Sequence, residues 1–392
     1  MTNAIIITIC CLLLIAYLFD LTASRTRIPS VILLLLLGWA VKLAAQFLQI
    51  DIPSLSPLLP AFGTIGLILI VLEGSLELRL SRERSPLIKK SILMSALPML
   101  LMLAGCAWLI HDQYQVSWKT SLINITPLCI ISSAIAIPSA AAIESKFRET
   151  VIYESSFSDI IGVMIFNFLI LNETIGPLQV GNLFLQILLM TVISLLVTIL
   201  LAFFLRRIDH HIKFVPIILV LILIYFVSKY FHLPGLIFIL LFGLLLGNAE
   251  KVNKIKGLEH IDTSRLQDEV HKFREITTEG AFLIRAMFFL IFGFQIETAD
   301  VLNSDTLLWS AGITALIFVL RAVHLRITGL PVFPLIYFAP RGLITILLFL
   351  SIPAEFTIPL INTALIIQVI LMTAVVMMLG LMSQSKPQKV VV

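Results

Sequence analysis

Apolar segments about 20 residues long, the length that an α-helix needs to cross the hydrocarbon core of a bilayer, follow one another along the sequence. Hydrophobic residues make up 59% of the 392 residues and charged residues only 13%, which excludes an ordinary water-soluble domain. We therefore predict an all-α polytopic membrane protein. Its expected transmembrane helices, about thirteen in number, lie at residues 4–20, 28–48, 57–80, 87–110, 118–146, 150–172, 182–205, 213–229, 233–249, 276–298, 306–327, 337–353 and 357–383.

The positions of the basic residues predict the orientation of these helices. Short cytoplasmic loops collect Lys and Arg, and most of the 27 basic residues fall in alternate loops, whereas the opposite loops hold only Lys119 and Lys229, with Lys42 nearby. The alternation favours an N-terminus outside and a C-terminus in the cytoplasm; the membrane expected is a bacterial cytoplasmic (inner) membrane, which the alternation itself does not specify. The predicted cytoplasmic set is Arg25, Arg27, Arg79, Arg82, Arg84, Lys89, Lys90, Lys146, Arg148, Arg206, Arg207, Lys213, Lys251, Lys254, Lys256, Arg265, Lys272, Arg274, Arg326, Lys386 and Lys389.

Six charged residues remain inside apolar segments and are the site candidates. A charge at mid-membrane costs several kcal/mol, so such residues normally pair with one another, face a cavity or serve transport. The six are Glu73, Glu154, Asp159, Arg285, Arg321 and Arg341.

Two of the predicted helices carry helix breakers in corresponding places, one in each half of the chain. Segment 118–146 has Pro138 in its middle, amid small and hydroxyl residues, and segment 337–353 carries Pro340-Arg341-Gly342. Paired interruptions are typical of transporters built from inverted repeats, because unwound backbone at the midplane faces the transported ion. An ordinary proline kink, which transmembrane helices tolerate, is the alternative.

Asp159 is the strongest candidate for a transport site. It lies about 13 Å along its helix, close to the middle of a hydrocarbon core about 30 Å thick. A carboxylate there holds either a proton or a hard monovalent cation, and competition for it, combined with alternate exposure to the two sides, produces antiport. The alternative is an acid neutralised by a neighbouring arginine. Ser158, next to Asp159, offers a neutral oxygen.

Depth along the helices predicts how the other charges are neutralised. Glu154 and Arg321 lie at similar distances from the cytoplasmic face, so they are expected to form an ion pair, which Arg321 needs because it cannot lose its proton. Glu73 and Arg285 form a second expected pair, although Arg285 could instead extend towards the cytoplasm. Arg341, at a helix break, could face the C-terminal end of a half-helix.

The rest of the sequence gives weaker predictions. The polar linker 250–275 has apolar residues at helical spacing, which suggests an amphipathic helix on the cytoplasmic surface. Its His260 and His271 could sense pH, although a solvated connector is the simpler interpretation. The four cysteines lie in apolar runs without the spacing of a disulfide scaffold or a zinc site, and no cofactor is expected.

Four short motifs, in order along the chain, resemble those of the monovalent cation/proton antiporters. The resemblance is to the branch of prokaryotic Na+/H+ antiporters and Na+/H+ exchangers, and it covers about residues 28–380. The motifs are Leu72-Glu73-Gly74-Ser75-Leu76, Glu154-Ser155 through Ser158-Asp159, Leu320-Arg321-Ala322-Val323 after Phe288 to Gly293, and Pro340-Arg341-Gly342-Leu343.

The resemblance implies a homodimer that works by elevator-like alternating access. It implies one membrane domain over residues 1–392, with core helices at about 57–172 and 276–383, two crossed discontinuous helices among them, and the remaining helices as a scaffold. In this family Asp159 would be the carrier carboxylate and Glu154–Arg321 an ion pair.

Two departures from the family pattern bear on the ligands of the cation. Ser158 stands where the family has Asn, and Ala136-Ile137-Pro138 stands where it has Thr-Asp-Pro. Ser132 and Ser133 are the nearest hydroxyls that could substitute as ligands.

The function expected from the sequence is secondary antiport of a monovalent cation for H+, and not an enzymatic activity. Na+ is expected first, with Li+ or K+ as alternatives, and exchange is expected to be electroneutral at one to one because only Asp159 is free to cycle. The expected partners are the cation, the proton, the lipid bilayer and a second copy of the chain, with pH homeostasis as the role. A potassium/proton antiporter or K+ efflux system, an ion channel and, least of all, an intramembrane enzyme using His324 are the alternatives.

Overall fold

A computed structural model describes residues 2–50, 55, 57–78, 85–173, 176–207, 213–248 and 263–383, and every regular element within them is helical. The α-helices are α1 (Thr2–Thr26), α2 (Ser30–Phe47), α3 (Leu58–Glu77), α4 (Ser85–Tyr114), α5 (Trp118–Cys129), α6 (Ser133–Ser139), α7 (Ser145–Leu171), α8 (Pro177–Arg207), α9 (Phe214–Tyr230), α10 (Gly235–Gly247), α11 (Thr263–Gln295), α12 (Thr298–Val301), α13 (Ser304–Ile327), α14 (Leu343–Leu350) and α15 (Thr363–Ser383). Short 3₁₀ turns occupy Ala140–Ala142, Leu335–Tyr337 and Ala354–Phe356.

Each predicted transmembrane segment falls on a helix or on an interrupted helix of the structure. Among the described residues, nine helical segments are long and apolar enough to cross a membrane, and three shorter apolar helices lie at Ile7–Ala23, Phe214–Tyr230 and Gly235–Gly247. The remaining predicted segment, 337–353, contains the non-helical stretch 338–342 and α14. The all-α, polytopic fold class is confirmed, whereas an inverted-repeat relation between the two halves stays a prediction.

The chain forms two compact units. The first comprises Met1–Thr64, Lys90–Gly162 and Leu283–Val392, and it holds both interrupted segments together with α13 and α15. The second comprises Ile65–Lys89 and Val163–Phe282 and holds α8, α9 and α10. The predicted division into core helices 57–172 and 276–383 and a scaffold stays a prediction.

Glycines let α2 and α11 cross closely within the first unit. A Cβ on Gly38 would lie 2.2 Å from the backbone oxygen of Leu290, and one on Gly293 would lie 2.3 Å from that of Leu35. Because both obstacles are backbone atoms, any side chain at either position would push the helices apart. This is the small-residue contact that lets transmembrane helices gain van der Waals packing without a hydrophobic driving force.

The predicted amphipathic helix at 250–275 is helical where the structure describes it, but it is continuous with a longer helix. Residues 263–275 form the first turns of the long helix α11, and no Pro or Gly lies between Thr263 and Gly280 to end it. Their apolar face is covered by protein: Phe273 is fully buried, with its ring 6.0 Å from that of Phe214 and 6.5 Å from that of Phe242. His271 is exposed, and His260 lies outside the described residues.

Candidate ion-binding site

The first interrupted helix breaks at residues 130–132, between α5 and α6. Ile130 and Ser132 have extended backbones. The backbone N–H groups of the break donate to acceptors outside the helix and not to the carbonyls of a preceding helical turn. The N–H of Ile131 donates to Ser158 Oγ at 2.9 Å, and that of Ser132 donates to the carbonyl of Pro340 at 2.8 Å. The sequence predicts this break around Pro138, which instead lies inside α6. A proline removes only one backbone hydrogen bond of a helix. Here the N–H groups of two residues, Ile131 and Ser132, donate to acceptors outside the helix, and a whole turn is unwound.

The second interrupted helix breaks at residues 338–342 and meets the first break directly. Besides the carbonyl of Pro340, which accepts from Ser132, the N–H of Arg341 donates to Thr373 Oγ1 of α15 at 3.0 Å. Gly342 sits so close to α6 that a Cβ there would lie 2.6 Å from Ile135 Cδ1 and 2.9 Å from Ser132 Oγ. The two discontinuous helices therefore cross at their unwound backbones.

The Arg341 side chain lies within this crossing and binds backbone carbonyls. Its Nε donates to the oxygen of Leu128 at 2.7 Å, its Nη2 to that of Cys129 at 3.3 Å and its Nη1 to that of Ala339 at 2.9 Å. The first two acceptors are the last carbonyls of α5, which carry the partial negative charge of a helix C-terminus. A buried guanidinium thus satisfies the buried end of a half-helix.

Asp159 lies beside the crossing with its carboxylate unsatisfied. The residue is 0% exposed, and neither carboxylate oxygen has a hydrogen-bond partner of ordinary geometry among the described residues. The hydroxyl and N–H of Ser133, the first residue of α6, face it. No described arginine pairs with it, since Arg321 binds Glu154 and Arg341 binds carbonyls. A buried carboxylate in this state is a place for a proton or a cation.

Two more buried hydroxyls near the breaks have no partner among the described residues. Ser132 Oγ, next to Gly342, was predicted as a ligand from the sequence; Thr345 Oγ1, in the first turn of α14, was not. A threonine in an apolar run carries no signal of its own, and only its position three residues after Gly342 could have singled it out. Ser158, the other predicted ligand, already accepts the N–H of Ile131.

The structure brings Glu154 and Arg321 together in a buried, two-pronged ion pair. Arg321 Nη2 donates to Glu154 Oε2 at 2.9 Å, Nη1 donates to Oε1, and Nε donates to the carbonyl of Leu335 at 2.7 Å. Glu154 is 1% exposed and Arg321 4%. The pair connects α7 to α13 and to the turn at Leu335–Tyr337. Within α7, Glu154 lies about one and a half helical turns before Asp159.

The remaining two intramembrane charges lie in different compact units. Arg285 is buried in α11 within the first unit, and Glu73 is half-buried in α3 within the second. Their pairing stays a prediction.

Comparison with known proteins gives a family match and a fold match. A family model described as "Sodium/hydrogen exchanger, transmembrane" matches residues 10–384. A structure of the sodium proton antiporter MjNhaP1 from Methanocaldococcus jannaschii at pH 8 is similar at a TM-score of 0.67, with 22% identity over 96% of this chain and 95% of that one. An electron-microscopy structure of MjNhaP1 gives a TM-score of 0.72, with 20% identity over 99% and 100% of the two chains. No curated protein sequence matches significantly.

Proposed function

Because the chain belongs to the transmembrane sodium/hydrogen exchanger family, we propose that it exchanges a monovalent cation, Na+ first, for H+ at Asp159. The observation that carries the proposal is the state of that carboxylate, which is fully buried at the crossing of two helix breaks, has no ion-pair partner or hydrogen bond of ordinary geometry among the described residues, and is faced by the hydroxyl and N–H of Ser133. A buried anion left in this state is costly, so it takes up either a proton or a cation. The two ligands then compete for one group.

Neutral oxygens complete the proposed ligand set. Ser133 faces Asp159 and Ser132 has a free hydroxyl, so both supply dipoles to a bound cation without adding charge. Ser158 holds the backbone of the first break, and its oxygen keeps a second lone pair for the cation. Hard monovalent cations bind oxygen ligands of this kind.

The ion pair and Arg341 keep the charge of the surrounding framework the same in both states of the site. Glu154 is bound by Arg321 and Arg341 by helix carbonyls, so neither needs to change protonation when Asp159 does. With one carboxylate cycling, one cation exchanges for one proton and no net charge moves.

Transport requires that Asp159 be accessible from each side of the membrane in turn. The proposal is alternating access in a homodimer of the inner membrane, with the N-terminus outside and the C-terminus in the cytoplasm, serving pH homeostasis. The basic residues of alternate loops support the orientation, and the two crossed breaks support a mobile ion site.

Reconstituted exchange tests the proposal. Proteoliposomes with an entrapped pH-sensitive dye should report proton movement on addition of Na+, Li+ or K+ to the wild type, with Na+ giving the lowest half-saturating concentration. Asp159→Asn should abolish exchange with every cation. Asp305→Asn, the same change at an exposed position in the first turn of α13, is the matched control and should exchange normally.

Two outcomes would overturn the proposal. Normal exchange by Asp159→Asn would show that Asp159 is not the carrier carboxylate. Cation flux that leaves the internal pH unchanged would indicate a channel.

A further inference from the structure

His324 is a buried titratable residue that the proposed exchange at Asp159 does not use. It lies in α13, is 4% exposed, and neither of its ring nitrogens has a hydrogen-bond partner among the described residues. By contrast, Nδ1 of His111 lies 2.6 Å from the carbonyl oxygen of Val116. Buried polar groups are normally hydrogen-bonded, so an imidazole in this state calls for an explanation.

The positive charge of Arg321 acts on this imidazole. Arg321 precedes His324 by three residues, so the two side chains lie on the same face of α13. The guanidinium is fixed in place, because it binds the Glu154 carboxylate and the carbonyl of Leu335. A proton on His324 would therefore place a second positive charge beside one that cannot move away.

The elements around α13 supply no counter-ion for a protonated His324. No carboxylate of the described residues is within ion-pair distance of its ring. The packed helix α15 has no ionisable residue, and the 3₁₀ turn that also packs on α13 offers only the phenol of Tyr337. Glu154 of α7 is bound by Arg321, and Arg341 of the second break is itself a cation. An imidazolium here would be a buried charge without a partner.

The described conformation of α13 therefore suits a neutral His324. Histidine is the side chain whose charge ordinarily changes between about pH 5 and 8. As the pH falls through that range, protonation favours conformations in which the ring reaches water, and the population of the described conformation falls. Such a shift reaches the ion site, because the Glu154–Arg321 pair connects α13 to α7, the helix that carries Asp159.

We propose that His324 is a second, regulatory proton site, whose protonation at acid pH moves α13 out of the described conformation and slows exchange. The effect on exchange rests on the proposed function. The two proton sites differ in their kinetics. A proton on Asp159 competes with the cation, so that excess cation displaces it, whereas a proton on His324 lowers the maximal rate at any cation concentration.

Maximal exchange rates in proteoliposomes test the regulatory site, with Na+ raised at each pH until the rate no longer increases. Between about pH 7.5 and about pH 5.5 the wild-type rate should fall at least about fivefold, whereas that of His324→Gln, which stays neutral, should fall less than about twofold. His271→Gln, the same change at an exposed histidine, is the matched control and should keep the wild-type fall. A wild-type rate that does not fall, or an equal fall in His324→Gln, would overturn the proposal.

Amide hydrogen exchange in detergent tests the conformational step without any transport. After correction for the intrinsic effect of pH, wild-type peptides from residues 318–328 should exchange at least about threefold faster at the lower pH, and those of His324→Gln should not. Unchanged protection of this segment in the wild type would overturn the proposal, even if the variant fails to fold. Normal exchange by Asp159→Asn would instead count against the proposed function, and the hydrogen-exchange result would still decide the role of His324.

Discussion

At the scale of single residues, the side chains of the neighbours Ser158 and Asp159 have different roles. The Ser158 hydroxyl accepts a backbone N–H from the first break, whereas the Asp159 carboxylate is left without a partner among the described residues. The Ser158 side chain thus binds the unwound backbone, whereas the Asp159 carboxylate is faced only by Ser133 and is the proposed place for a proton or a cation. The proposed chemistry depends on both, because the carboxylate faces the crossing only while the break is held open.

Ser158→Ala should destabilise the protein, because it leaves the buried N–H of Ile131 without an acceptor, at a cost of about 1–3 kcal/mol. Ser156→Ala is the matched control: Ser156 is also buried in α7, but its hydroxyl has no partner among the described residues, so its loss should have a small effect. Thermal unfolding in detergent measures the difference. Equal melting temperatures for the two variants would show that the Ser158 contact does not hold the break.

The Glu154–Arg321 pair should show strong coupling. Removing one partner, by Glu154→Gln or Arg321→Gln, leaves an uncompensated buried charge and should cost about 3–5 kcal/mol. The double variant should recover much of that loss, because neutral side chains of similar size remain in place. A double-mutant cycle on thermal stability tests this, and strictly additive losses would contradict the pairing.

At the scale of secondary-structure elements, the discontinuous helices are held by groups that are distant in the sequence. Arg341 on the second break binds the last carbonyls of α5, and Pro340 accepts a hydrogen bond from Ser132 on the first. The two breaks therefore satisfy part of each other's backbone, and Ser158 of α7 and Thr373 of α15 accept the N–H groups of Ile131 and Arg341. Unwound backbone inside a membrane protein needs such partners.

Arg341→Lys should impair transport and stability although it keeps the positive charge. A lysine ammonium is a compact donor without the planar fork that reaches the oxygens of Leu128, Cys129 and Ala339 at the same time. We expect a loss of about 2 kcal/mol or more, since at least one buried carbonyl is left unpaired. The melting temperature and the exchange rate should both fall, and a variant as stable and active as the wild type would contradict the role given to the guanidinium.

At the scale of the whole molecule, the sequence was sufficient to predict the helices, the family and the break at Pro340-Arg341-Gly342, but not the position of the first break. The transmembrane segments were predictable because apolar length alone decides which segments cross a bilayer. The family resemblance, carried by Glu73-Gly74, Glu154 to Asp159, Arg321 and Arg341-Gly342, is confirmed by a family model that matches residues 10–384.

What could not be predicted depends on contacts between distant residues. The first break lies at residues 130–132 and not at Pro138, because Ser158 and Pro340 accept its N–H groups, and neither is a neighbour in sequence. The segment 263–275 looked like a surface helix because its apolar stripe gives no hint that Phe214 and Phe242 cover it. Thr345 was missed since one hydroxyl in an apolar run is unremarkable until its surroundings are known.

With Asp159 as the single cycling carboxylate, the proposed exchange is electroneutral for the whole molecule. A membrane potential set by a permeant lipophilic ion, with equal Na+ and equal pH on both sides of a proteoliposome, should therefore drive no net proton movement. An imposed Na+ gradient in the same vesicles is the positive control. Proton movement driven by the potential and abolished by Asp159→Asn would show that more than one charge moves per cycle.

Proton release on cation binding tests the central claim, that one carboxylate serves both ligands, most directly. Na+ is added to purified protein in weakly buffered detergent, at a pH low enough for Asp159 to be protonated, and a pH indicator counts the protons set free. The account predicts about one proton released per Na+ bound in the wild type and in Asp305→Asn, and none in Asp159→Asn. Na+ binding without proton release, or an undiminished release from Asp159→Asn, would contradict it.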